Sequence, residues 1–166
     1  AENPYVSIQA ALDFAGMGDT ILVAPGTYIE NVELENQSHV IASYYLLDGD
    51  SSHIENTVID GGGQGQVISM NLAGPNTKLI GFTITNGYTT TGGAGLYCVN
   101  SFPTISNCIF KENNAGISNP SINGGSISAN YSEITMEHVF LYTNYAAGQG
   151  GGVYAEQSRI DASNVL

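Results

Sequence analysis

Four acids, Asp48, Asp50, Glu55 and Asp60, fall within thirteen residues of the segment DGDSSHIENTVIDGG (48–62). A hard cation takes several oxygen ligands, and an Asp-x-Asp in a Gly/Ser turn can supply them. Asp48, Asp50 and Asp60 are therefore the candidate metal ligands, with Ca²⁺ as the ion they suit. The segment lacks the full calcium loop and its closing Glu, so a solvated loop between strands accounts for the same residues. Asp60 is also an Asp-Gly after a strand, which is a common turn. His39, His53 and His138 have no metal-ligand spacing among themselves.

Tyrosine offers a second kind of chemistry. An exposed Tyr presents a flat apolar face with a hydroxyl handle, which suits stacking on a sugar ring. Tyr97, Tyr142 and Tyr154 are the candidate ligand-binding residues, for a polysaccharide or a cell-surface glycan. An outward Tyr is equally a favourable strand residue, so surface strand and carbohydrate platform are both open readings.

Composition excludes other partners. Three cations, Lys78, Lys111 and Arg159, stand against fifteen acids, for a net charge of −12. That field repels nucleic acid, whose binding rests on Lys and Arg neutralising phosphates. It also disfavours anionic membranes and acidic polysaccharides unless a cation bridges the two. No apolar run approaches the ~20 residues that span a bilayer. The chain opens with AENPY and no Met, as a mature N-terminus left by signal cleavage would, so a secreted or cell-surface location is expected.

The elements that must position these residues are short strands. A helix is expected first, with Ser7 as N-cap and Ile8, Ala11, Leu12 and Ala15 on one face, ended by Gly16 and Gly18. Strand-like runs follow at 19–28, 31–34, 39–45, 57–60 and 66–70. No helix long enough for a βαβ crossover is expected between them.

From residue 78 the sequence repeats. Leu79, Ile105, Met136 and Ala162 align with steps of 26, 31 and 26, and Phe82, Cys108, Val139 and Val165 keep the same steps. Ile84, Phe110 and Leu141 follow, and a second strand family gives Leu96, Ile127 and Val153. The longer step carries five extra residues near ISNPS (117–121), read as one longer loop. Inward candidates such as Ile105, Cys108 and Phe110 are spaced three and then two apart. Strands need steps of two, so the three marks a bend.

Each copy then has a Gly-rich turn: TGGAG (91–95), NGGS (123–126) or QGGG (149–152). A ~26-residue unit of short strands, bends and one such turn is one coil of a solenoid. The N-terminal helix would cover its open first edge. Cys98 and Cys108 then read as small buried core residues, with a bond between them left open. His138 stands where Asn107 and Asn164 stand, at a bend, which suits a hydrogen-bonding turn. Glu112, Glu137 and Glu156 fall at non-equivalent positions, so stacking forces no carboxylate pair of the ~5–10 Å kind that glycoside hydrolysis needs.

GDTILVAPGTYIENV (18–32), TVIDGG (57–62), GFTITNG (81–87), GGAGLYC (92–98) and SFPTISNCIF (101–110) resemble right-handed β-helix repeat proteins of the pectin-lyase-like superfamily, in particular its large secreted bacterial members. The resemblance spans about residues 7–166. It implies an all-β solenoid, a right-handed parallel β-helix with a short N-terminal capping α-helix. The expected organisation is a capping segment over 1–18 and rungs over 19–166. The chain stops inside a repeat, so a longer parent protein is expected. Handedness follows the strong bias of parallel connections.

The resemblance is less specific for activity. Lyases of this superfamily remove a proton next to a uronate with a basic residue, while Ca²⁺ or Arg neutralises the carboxylate. Here Lys78, Lys111 and Arg159 sit at different corners of different rungs. The paired aspartates of the polygalacturonase-like members and the Asp–Asp–Arg set of the esterases are not found. The leading expectation is therefore an extracellular module, non-catalytic in itself, that displays loops and Tyr toward glycans. One alternative is part of a carbohydrate-active enzyme, of lyase or hydrolase type, whose active site lies on later rungs. The other is a structural subunit that self-associates end to end into fibres.

Overall fold

The computed structural model describes residues 5–116 and 121–166, so most of the longer loop at 117–121 lies outside the described residues. The chain forms a parallel β-solenoid of about five turns with an N-terminal helix, α1 (Ile8–Phe14), as the repeat spacing requires. The first rung comprises β1 (Thr20–Val23), β2 (Gly26–Ile29) and β3 (Val32–Glu35). In the second, β4 (Val40–Ser43) is followed by two short helices, α2 (Tyr45–Asp48) and α3 (Ser52–Asn56), then by β5 (Thr57–Asp60) and β6 (Ile68–Asn71). The third holds β7 (Lys78–Ile80), β8 (Thr83–Thr85), β9 (Tyr88–Thr89) and β10 (Leu96–Val99). The fourth holds β11 (Thr104–Ser106), β12 (Ile109–Lys111), β13 (Asn114–Ala115) and β14 (Ile127–Asn130). The fifth holds β15 (Glu133–Glu137), β16 (Phe140–Tyr142), β17 (Tyr145–Ala146) and β18 (Val153–Glu156), and β19 (Arg159–Ser163) follows.

Like strands stack into four parallel sheets. Sheet A runs β1-β4-β7-β11-β15-β19, sheet B β2-β5-β8-β12-β16, sheet C β3-β6-β10-β14-β18, and sheet D β9-β13-β17. The register is the one read from the repeat. Leu79 pairs with Ile105, Ile105 with Met136 and Met136 with Ala162, and Ile41 and Ile21 extend the ladder downward. Ile84, Phe110 and Leu141 form the second ladder, and Leu96, Ile127 and Val153 the third. Phe82, Cys108 and Val139 are fully buried at the bends, and Cys98 and Cys108 are both free thiols in the core. Each large aliphatic residue so buried contributes roughly 1.5–3 kcal/mol.

The three-residue steps have a backbone cause: from the third rung on, one residue at each of three corners is left-handed. Gly81, Asn107, His138 and Asn164 occupy one such corner, with φ of 81°, 53°, 53° and 52°. Asn36, Leu72, Asn100, Tyr131 and Gln157 occupy another, and Asn86, Glu112 and Thr143 a third. Asn and Gly recur because they adopt this region at the lowest cost. Polar ladders brace two of these same corners. Ser101 N–H donates to Ser132 Oγ at 3.0 Å, and Ser132 N–H to Ser158 Oγ at 2.9 Å. The buried Asn113 donates through Nδ2 to the Ile84 carbonyl at 3.1 Å, and its Oδ1 accepts from Gly87 N–H at 2.9 Å.

The first rung's edge is closed by α1. Ser7 Oγ caps it, accepting from Ala10 N–H at 3.1 Å, and the Glu30 carboxylate accepts from the Ile8 and Gln9 amides at 2.8 and 3.0 Å. Gln9 imitates a neighbouring strand: its Oε1 accepts from Glu33 N–H at 2.8 Å and its Nε2 donates to the Glu33 carbonyl at 3.3 Å. Ile8 and Leu12 are buried against the core, as the helical spacing indicates.

Candidate functional site

The tyrosines read from the sequence separate into two settings. Tyr97 on β10 and Tyr154 on β18 stack on the outer face of sheet C with Ser128 of β14 between them. Gly-rich turns fold across that face. A Cβ on Gly124 would lie 2.8 Å from Ser128 Cβ, and its φ is 73°, so glycine is needed there twice over. Ser128 is consequently only 3% exposed, although it points outward. Tyr97 is half-buried and its hydroxyl accepts from Asn130 Nδ2 at 3.1 Å; Tyr154 is half-buried as well. Tyr142 on β16 stays open, at 48% exposure.

The acids of the 48–62 segment do local work instead of converging. Asp48 Oδ1 accepts from Asp50 N–H at 2.9 Å, and Asp48 Oδ2 accepts from His53 Nε2 at 3.2 Å. Asp50 Oδ1 accepts from Ser52 N–H at 2.9 Å. These bonds hold both carboxyls below the usual range, Asp48 chiefly through the Asp50 amide and Asp50 chiefly through the Ser52 amide. Asp60, on β5, accepts from Gly62 N–H and from Asn86 Nδ2. Asp48, Asp50 and Asp60 are not gathered into one ligand set: among the described residues no three His, Cys, Asp or Glu lie together as a cation would need.

What the segment builds is a wall. In four rungs only two residues turn the corner from sheet A to sheet B: 24–25, 81–82, 107–108 and 138–139. In the second rung thirteen residues, 44–56, stand there, and they form α2 and α3. The strand expected over 39–45 therefore ends at Ser43, and Tyr45 opens a helix. The excursion is fastened to the rungs above it. Tyr45 Oη donates to Asn107 Oδ1 at 3.1 Å, and Thr83 Oγ1 donates to the Ile54 carbonyl at 2.9 Å. Gly81 permits the approach, since a Cβ there would come within 2.8 Å of Tyr45 Cβ.

Between this wall and the outer face of sheet B lies a cleft of about 580 Å³. Its apolar surface comes from Tyr45, Ile54, Ile109 and Phe140, and its polar groups include Asp50, Glu55, Asn107 and His138. Phe140 is 45% exposed, a large apolar ring open to solvent. His138 takes the corner position shared with Asn107, and its Nε2 accepts from Asn164 Nδ2 at 3.1 Å. A second groove of about 500 Å³ shares Glu55 and Ile109 with the first and adds Thr85, Lys111, Glu112 and Tyr142. Lys111 is in register with Thr85 and Tyr142, as read from the repeat.

Such a surface can stack a ring and hydrogen-bond its edge. Cys108 at the cleft's margin is no nucleophile, because burial pushes its thiol up to about 12. Arg159 is engaged with Asp161 and Glu133, and Lys78 lies on sheet A, so no basic cluster faces the cleft. Sequence reasoning placed His138 at its bend beside Asn164, but missed Tyr45, Phe140 and the cleft they share with it. The available signal was the break in corner length at 44–56, visible only once the later corners are known to be two residues long. No protein-family model, no curated protein and no solved structure matches the chain.

Proposed function

We propose that the chain is an extracellular or cell-surface solenoid module of the pectin-lyase-like kind that binds a glycan in the cleft beside sheet B without altering it chemically. The observation that carries this reading is the meeting of Tyr45 and Phe140 with the hydrogen-bonding groups of Asp50, Asn107 and His138 in one concave surface. Sugar rings have an apolar face and a polar rim, and aromatic walls with a few fixed polar groups complement both. The adjoining groove extends the platform to Tyr142.

Binding of the purified chain to a panel of polysaccharides, with and without Ca²⁺, tests the proposal. Phe140→Ala and Tyr142→Ala should each weaken binding by ~3–10-fold, the worth of one aromatic contact, while Tyr97→Ala changes it by less than ~2-fold. Binding to no polysaccharide would end the reading. Binding that vanishes on chelation would mean that a cation, and not the aromatic surface of the cleft, carries it. Asp50 and Glu55, carboxylates on one cleft, favour one second reading, a carbohydrate-active enzyme. Release of new reducing ends from a bound polysaccharide, abolished in Glu55→Gln, would establish that alternative.

A further inference from the structure

Resting on the glycan reading of the cleft, we propose that the glycan carries free amino groups: the site suits a cationic amino-sugar polymer over a neutral or uronic one. The lining sets the charge. Asp50, Glu55 and Glu112 line the joined grooves, against Lys111 and the imidazole of His138. Asp50 is held ionised by the Ser52 amide. The side chains of Glu55 and Glu112 make no hydrogen bond or ion pair with any described residue, so their charge is free for a ligand. The rest of the chain adds to this field, with a net charge of −12.

Two further features match the same chemistry. An ammonium is attracted to an aromatic face, and Tyr45, Phe140 and Tyr142 supply such faces beside the carboxylates. Thr85, on the outward row of β8, lines the second groove; it is 5% exposed and its hydroxyl has no hydrogen-bond partner among the described residues. A buried hydroxyl left unpaired is costly unless something completes it, and an amino sugar's ammonium or hydroxyl does so. A uronate would instead meet the three carboxylates and pay for their repulsion.

Calorimetry with soluble glucosamine oligosaccharides, their N-acetylated counterparts and neutral glucan oligosaccharides tests the inference at physiological salt. The free amines should bind at least ~10-fold more tightly than the N-acetylated forms. Asp50→Asn combined with Glu55→Gln should weaken binding ~5-fold or more, and a melting curve will show that these two exposed positions leave the fold intact. Glu35→Gln with Glu156→Gln makes the same change in net charge on sheet C and should shift affinity less than ~2-fold. Thr85→Val, close in shape, should lower affinity without lowering the Tm. If the sheet C pair weakens binding as much as the cleft pair, the polymer merely adsorbs to an acidic surface and the inference falls. Equal affinity for N-acetylated or neutral oligosaccharides would overturn the amine requirement and leave the glycan reading standing. Binding to none of the three would overturn both.

Discussion

The corner residues show how much a single backbone conformation decides. Every coil must turn sharply without losing its register, and a left-handed residue does this in one step. Asn36 and Asn100 fill one corner ladder with a residue suited to it, whereas Tyr131 at the same corner has φ 49° and is 59% exposed. A non-glycine side chain in this region costs ~1–2 kcal/mol, less for Asn, whose short polar side chain bonds locally. Tyr131→Asn should therefore raise stability, by about 0.5–1 kcal/mol in urea denaturation, with an unchanged m-value. A loss of stability would mean that the ring packs more favourably than its exposure indicates.

Among the elements, α1 acts through one polar side chain of its own and one from the first rung, beside the buried Ile8 and Leu12. Gln9 supplies the hydrogen bonds a next strand would have made, and Glu30 holds the helix terminus in place. Glu30→Ala frees two helix-end amides and should cost about 1–2 kcal/mol, measured by urea denaturation. A cost near zero would show that Ile8 and Leu12 alone seat the helix. The capping helix and the rung register were legible because both rest on repeated spacing: Ile8 and Leu12 one turn apart, Leu79, Ile105 and Met136 one coil apart. The cleft was not legible. Helices of four and five residues carry no periodicity that a sequence can display, and Tyr45 reaches Asn107 across 62 positions only because the two stand two rungs apart in the stack. Tyr97 and Ser128 stand side by side on the outer face of sheet C, but the glycine turns that roof them act through backbone alone, which residue types do not reveal.

At the scale of the whole molecule, α1 closes the edge of the first rung against β1 and β3. Stacking of another copy on the first rung's edge would have to displace α1 from β1 and β3. Removing residues 1–15 should make the mass seen by light scattering rise with concentration beyond that of the intact chain. An unchanged profile would show that the edge under α1 is not the one at risk.

The parallel ladders also give the molecule a mechanical grain. Every inter-rung hydrogen bond points along the solenoid axis, whereas the covalent chain runs around it. Tension applied end to end pulls those bonds apart lengthwise, one rung interface at a time, so the coil peels. A load applied sideways is carried around the coil by the backbone and spread over neighbouring rungs. The cleft opens on the flank, between α3 and sheet B, so a polymer held there tugs against the strong direction of the weave.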